Sequence, residues 1–345
     1  ILFAVILISL LVNHTFKFNI IIRVIQLFIY ILCFNKLYKI RKIFDEKYIE
    51  KMIRIITYFV LVMGVIQILT TANILPRINL ITMLFYNDHS ANVYYHMNHY
   101  RRLCSVFMEP SYCACYLCAV FMYFSNKKFT TKNIVLLVFI ALEVLLGFST
   151  TGYIALVIST LIFLIGRFNS KTGKYLLTCG LFALIFLLIF FNDTLNQVIF
   201  DKMSSGSANT RYYWNRNALR AFQSSKFFGV GYKNVRASTI FYSLLGELGL
   251  FGLIFYLALN LSILLFIFKN RNHKYHNVLG IGLGIVSICI CQTIACPDLD
   301  LCVYWLFMFL FAISNNLSLN SEMSSIALVE ESVQLENSYM TGNLN

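Results

Sequence analysis

Apolar residues run along this chain in blocks of bilayer-spanning length, separated by short polar or basic stretches. A helix that crosses a bilayer needs about 20 mostly apolar residues, within a range of roughly 17–25. Blocks of that kind lie near 18–34, 53–75, 103–125, 134–150, 152–168, 175–191, 239–268, 277–296 and 299–314. A shorter block, 1–12, reads as the end of a helix that starts before residue 1. It lacks the basic leader and small-residue cleavage site of a signal peptide. The pattern predicts an all-α, polytopic integral membrane protein of about ten transmembrane helices. One helical membrane domain is expected over 1–314, with external loops near 76–102 and 192–238, followed by a polar tail, 315–345, that reads as disordered.

Composition supports that pattern. Of 345 residues, 59% are apolar and 12% charged, against about 45–50% and about 25% in soluble domains. A soluble fold of this length cannot bury so much apolar surface. Secreted disulfide scaffolds, disordered chains and cytosolic enzymes are thereby excluded. The ten cysteines sit almost wholly inside apolar blocks and read as small apolar side chains. The net charge of +13 suits anionic lipid or an anionic ligand; nucleic acid is not an expected partner.

Lys and Arg in short loops set orientation. The stretches 35–54, 126–133, 166–174 and 269–276 are each rich in basic residues, and the nine full spans alternate so that all four share the cytoplasmic side. The opposite side receives 76–102, the turn near 149–152, the segment 192–238 and the turn Cys296-Pro297-Asp298. The tail does not follow the rule, since it carries four Glu and no Lys or Arg on the side that should be basic.

The segment 192–238 departs from the same rule in a more informative way. Lys202, Arg211, Arg216, Arg220, Lys226, Lys233 and Arg236 face only Asp193 and Asp201, on the side where basic residues are normally sparse. Arg216 and Arg220, four apart, share a side if that stretch is helical. Two readings stand: a solvated loop, or a basic mouth for a phosphate-bearing substrate, to which a guanidinium fork is matched. A second basic pair, Arg101-Arg102, lies on the same side just before the block that contains Glu109 and Pro110. A helix starting there puts Glu109 about two turns below Arg102. The acid then either pairs with Arg102 or lines a polar cavity, where it orients or deprotonates a hydroxyl.

Further along, Phe228-Gly229-Val230-Gly231-Tyr232 precedes Leu244-Leu245-Gly246-Glu247-Leu248-Gly249-Leu250-Phe251-Gly252. The first glycine pair permits a tight turn. Gly246, Gly249 and Gly252 recur every three residues and predict a smooth helix face for close packing. Glu247 and Glu143 lie inside apolar blocks, each either a functional acid or a buried structural partner. His89, His96 and His99 share one loop, but no carboxylate completes a ligand set, so neither a metal nor another cofactor is expected.

Three motifs now stand in order: Arg102-x-x-Ser-x-Phe-x-Glu109-Pro110, Ser-Gly-Ser-x-x-x-Arg211-x-x-Trp214, and the Phe-Gly-Val-Gly-Tyr and Gly-Glu-Leu-Gly pair. With the polytopic layout, this resembles the O-antigen and capsule repeat-unit polymerases (Wzy-type), relatives of the O-antigen ligases. The motifs cover about a fifth of the chain. The resemblance implies a glycosyltransferase in a bacterial plasma (inner) membrane, its site facing the periplasm or cell exterior. Undecaprenyl-diphosphate-linked repeat units would be joined into O-antigen, capsular or exopolysaccharide, in company with membrane lipid and with a chain-length regulator and flippase of the same pathway. Arg211 and Arg102 would hold the diphosphate, with Glu109 as base or acceptor-orienting group. Arg101, Arg216, Arg220, Trp214, Tyr232 and Glu247 would contact substrate, with Tyr213 a further stacking candidate. The ligases carry a His-Asn pair before their Glu-Leu-Gly helix, where this chain has Ser238-Thr239; that favours a polymerase. Ligase-type transfer and lipid-linked oligosaccharide transport are the alternatives. A transporter would show paired repeats and midplane charges, neither of which is evident.

Overall fold

The computed structural model describes residues 2–14, 17–41, 44–72, 74–75, 102–166, 206–269 and 276–315. The expected span 175–191, the segment with Arg101 and the three histidines, and the tail from 316 lie outside the described residues. Among the described residues every regular element is a helix: α1 Leu2–Val12, α2 Phe18–Lys39, α3 Glu46–Thr71, α4 Pro110–Ser125, α5 Thr131–Leu146, α6 Thr150–Gly166, α7 Gly206–Ser224, α8 Ile240–Lys269, α9 His276–Ile294 and α10 Cys302–Asn315. Four of them are long and apolar enough to cross a membrane: α2, α3, α8 and, over Asn277–Ile294, α9.

Polar residues set where helices begin. The Asp45 carboxylate accepts from the Tyr48 N–H at 2.6 Å to start α3, and the Thr130 hydroxyl accepts from the Asn133 N–H at 3.3 Å to start α5. Pro110, which has no N–H to satisfy, occupies the first turn of α4. The centre of the bundle is α4 against α9, with α6 packed on both. Helix α4 is buried nearly all round, its small residues Cys113, Ala114, Cys115, Cys118 and Ala119 letting neighbours approach. By contrast α2, α3, α5 and α8 turn apolar side chains outward, among them Ile25, Phe59, Phe139 and Leu261. An outward apolar surface of this extent is not that of a water-facing monomer.

The loops gather at two poles. At one, Lys127 pairs with Glu50 at 3.0 Å, Arg54 pairs with Glu50 at 2.6 Å and bonds Asn133 at 2.9 Å, and Asn277 donates to Glu46 at 2.5 Å. These contacts join the starts of α3, α5 and α9 to the end of α4. At the other pole lie 102–109, 147–149, 225–239 and 295–301, which surround the cavity described below.

Three features differ from the sequence reading. The block 103–125 is not one helix, because residues 103–109 enter without helical structure. Their amides are satisfied by neighbouring helices instead: the Leu103 N–H donates to the Leu146 carbonyl at 3.2 Å, and those of Cys104 and Ser105 both donate to the Gln67 side chain at 3.0 and 2.6 Å. Glu109 therefore precedes the helix rather than lying two turns inside it. Second, part of the basic loop forms a polar helix, α7, which packs on α8.

Third, α8 is broken. Gly249 has φ 66° and ψ −159°, so it interrupts the helix instead of contributing to a smooth packing face. The backbone groups freed at the break are taken up by the preceding loop. Val230 and Gly231 donate to the carbonyls of Gly246 and Glu247 at 2.9 and 3.1 Å, while Leu250 and Phe251 donate to those of Lys226 and Phe227 at 2.9 and 3.4 Å. Helix α1 braces the junction. Ser9 Oγ lies 2.6 Å from the Phe228 carbonyl and 3.0 Å from that of Glu247, and Asn13 donates to the Gly229 carbonyl at 3.0 Å.

Candidate functional site

A cavity of about 770 Å³ opens at the pole that holds the broken helix, within the usual range for ligand sites. It is built from sequence-distant pieces. The entry segment and first turn of α4 give Arg102, Glu109, Ser111 and Tyr112; the turn into α6 gives Ser149, Thr150 and Thr151. Helix α7 gives Arg211 and Trp214, the following loop Lys233 and Arg236, α8 Ser243 and Glu247, and the turn after α9 Asp298.

Helix α7 delivers its residues by periodicity. Arg211, Trp214 and Ala218 fall on one stripe, at spacings of three and four. Ala218 is fully buried, and its backbone abuts Gly246 of α8, which docks the stripe toward the cavity. Arg216 and Arg220 fall off that stripe; both are exposed and neither lines the cavity. Tyr213 is likewise exposed and outside the lining. The far side of the mouth is tied to α7 by Ser238, whose N–H and hydroxyl donate to the Asn215 side chain at 2.9 and 3.0 Å. Arg236 stacks over Trp214, its guanidinium carbon 3.8 Å from the ring centre.

The charges in the cavity are of two kinds. Lys233 is saturated: its ammonium lies 2.5 Å from Asp298 and 3.0 Å from Asp300, Asp300 also pairs with Arg23 at 3.3 Å, and the Tyr112 hydroxyl donates to Asp298. Burial disfavours the Lys233 charge, but the carboxylates of Glu247, Asp298 and Asp300 outweigh it and raise its pKa above the ordinary lysine value. For Asp298 burial acts upward, and Lys233, with the Tyr112 hydroxyl and Arg23, more than reverses it, leaving that pKa below the usual carboxylate value. Arg102, Arg211 and Arg236, in contrast, form no ion pair among the described residues. Arg102 donates to the Gly147 carbonyl at 3.4 Å. Burial lowers its pKa, and the nearby charge of Arg211 adds to that effect, against opposing contributions from Cys104 and Glu109. A partly buried Arg102 and an exposed Arg211 that repel each other at one cavity are relieved by an anion placed between them.

Of the residues singled out in the sequence, Arg102, Glu109, Arg211, Trp214 and Glu247 come together here. Arg102 and Glu109 face the same space without forming an ion pair; Glu109 instead accepts from the Ser111 hydroxyl at 3.3 Å. Tyr232 is fully buried away from the lining, its hydroxyl without a hydrogen-bond partner among the described residues. Arg101 lies outside the described residues. The structure adds Lys233, Arg236, Tyr112, Ser243 and Asp298. The first two were visible as part of the basic surplus after Gly229-Val230-Gly231, and Asp298 as part of the turn expected on the same side. Among the described residues no group of three His, Cys, Asp or Glu is arranged to hold a metal ion. No family model, curated protein or solved structure matches the chain.

Proposed function

We propose that this chain is a polytopic membrane glycosyltransferase that polymerises lipid-diphosphate-linked oligosaccharide repeat units at the outer face of a bacterial plasma membrane. The observation that carries the reading is the convergence of Arg102 and Arg211, far apart in sequence and unpaired among the described residues, on one cavity with Glu109 and Trp214. The four span-length helices and the outward apolar faces of α2, α3, α5 and α8 support placement in a bilayer. The basic short loops at the pole of Lys127 and Lys269 support a cytoplasmic side there and an outward-facing cavity.

The chemistry asked of the site is departure of a lipid diphosphate from an anomeric carbon as an acceptor hydroxyl attacks. Negative charge grows on the bridging oxygen, and fixed donors aimed there lower the barrier. Arg102 and Arg211 supply those donors, and the first turns of α4 and α6, which also border the cavity, add the positive ends of two helix dipoles. Glu109 orients the acceptor, and Trp214, held by Arg236, offers a face on which a sugar ring stacks.

Purified protein in liposomes with an undecaprenyl-diphosphate-linked repeat unit tests the reading. Chain growth without any ion gradient is expected, and growth lost in Arg211→Ala while the protein stays folded. Absence of growth by the wild-type protein, or movement of the lipid across the bilayer without growth, overturns it.

A further inference from the structure

The transfer reaction releases a proton from the acceptor hydroxyl, and the cavity holds three carboxylates able to receive it: Glu109, Glu247 and Asp298. Their surroundings differ. Asp298 is engaged by the Lys233 ammonium and the Tyr112 hydroxyl, and those bonds hold its charge in place. Glu109 is partly exposed at the entry of α4, in the field of Arg102, where it is placed to position an acceptor beside the diphosphate.

Glu247 is different in kind. The residue is 3% exposed yet borders the cavity, so its carboxyl group is largely shielded from bulk solvent at the cavity wall. One oxygen accepts from the Ser243 hydroxyl at 2.9 Å. A carboxylate has about four lone-pair sites, so lone pairs remain for a substrate hydroxyl. It takes part in no ion pair among the described residues, since the nearby Lys233 is committed to two aspartates. Its backbone is held in place: the Glu247 carbonyl accepts from Gly231 and lies 3.0 Å from Ser9 Oγ, and the helix breaks two residues later at Gly249. A general base needs that combination of rigid placement, enclosure and free acceptor capacity.

We infer that Glu247 is the general base of the transfer reaction, with Ser243 holding its carboxylate and Glu109 left to orient the acceptor. The inference rests on the polymerase reading above. In the step, the acceptor oxygen forms its bond to the anomeric carbon while its proton passes to Glu247. The bond from that carbon to the diphosphate oxygen breaks, and the electron pair leaves with the lipid diphosphate held by Arg102 and Arg211.

An anionic nucleophile separates this role from a structural one, because azide has no proton to lose. In liposomes with an undecaprenyl-diphosphate-linked repeat unit, Glu247→Gln is expected to lower chain growth at least about 100-fold. With sodium azide it should still release glycosyl azide within about threefold of the wild-type rate, while Glu109→Gln weakens acceptor use but keeps the azide reaction. Chain growth by Glu247→Gln near the wild-type rate overturns the assignment. So does loss of both reactions in that variant, which marks Glu247 as a structural residue only. A wild-type protein that performs neither reaction overturns the polymerase reading itself, and this assignment with it.

Discussion

Gly249 and Gly229 meet backbone to backbone at the break in α8: a Cβ on Gly249 would lie 2.7 Å from the Gly229 nitrogen and 2.4 Å from the Phe227 carbonyl carbon. Both glycines have positive φ, 66° and 65°. The contact is what lets the loop 226–231 exchange hydrogen bonds with the two halves of the helix, and so sets Glu247 and Lys233 against the cavity. Gly249→Ala adds both the clash with fixed backbone and a disfavoured dihedral. Destabilisation of about 2–4 kcal/mol is expected, seen as a lower melting temperature in detergent. An unchanged Tm would show that the loop and helix are not locked in this way.

The stripe on α7 separates arginines that face the cavity from those that do not. Arg211→Ala is expected to lower chain growth by about 100-fold or more, the scale of losing one preorganised donor to a developing charge. Arg211→Lys should recover little of it, because an ammonium does not reproduce the bidentate fork. Arg216→Ala and Arg220→Ala, off the stripe and outside the cavity lining, should stay within about threefold of wild type by comparison. Equal losses in the three alanine variants, with growth kept in Arg211→Lys, would mean that bulk loop charge, rather than the cavity geometry, is what matters.

Much of this arrangement was legible in the sequence. Long apolar blocks marked α2, α3, α8 and α9, because burial and length leave few alternatives for them. Excess Lys and Arg in 192–238 pointed to Arg211, and the Arg101-Arg102 pair to Arg102. What the pattern hid were interactions between distant parts of the chain. Residues 103–109 are apolar enough to be helical, but Gln67 and Leu146 offer their amides better partners. Gly249 stands in a helix-compatible spacing, and only the loop that replaces its lost hydrogen bonds makes a break affordable. Lys233 looked like one more basic loop residue until Asp298 and Asp300, more than sixty positions on, came alongside it.

That ion network predicts an asymmetry between its two sides. Lys233→Met leaves Asp298 facing the buried Asp300, whose side chain is 3% exposed and keeps only Arg23. The expected cost is about 3–5 kcal/mol, as for a buried pair deprived of one partner. Asp298→Asn costs less, because Lys233 retains Asp300. The pH dependence follows from the shifts: the lowered Asp298 pKa gives stability present above the ordinary carboxylate value of about 3.9 and lost as pH falls through the folded value. The raised Lys233 pKa gives stability present below about 10.4 and lost only as pH rises through its folded value. Relative to wild type, Asp298→Asn should therefore lose the acid-side decline in thermal melts that this carboxylate contributes. An acid-side decline of the same size in Asp298→Asn as in wild type would contradict this pairing.

Away from the cavity, Glu143 of α5 lies against Gly64 of α3 so closely that a Cβ on Gly64 would stand 1.4 Å from its carboxyl oxygen. Glu143 is 5% exposed, and neither carboxyl oxygen has a hydrogen-bond partner among the described residues. The missing side chain of Gly64 is thus the space that the carboxyl group fills, and the two positions must be coupled. Gly64→Ala alone should destabilise, by about 1–3 kcal/mol, through overpacking. Glu143→Ala opens a small cavity but also removes a buried polar group that lacks partners, and these effects oppose each other. The double variant should then be more stable than the sum of the single changes by about 1 kcal/mol or more, the size expected for residues in direct contact. The measurement is a double-mutant cycle on thermal or denaturant unfolding in detergent. Strict additivity would mean that Gly64 and Glu143 do not touch, and that the α3–α5 interface is packed differently.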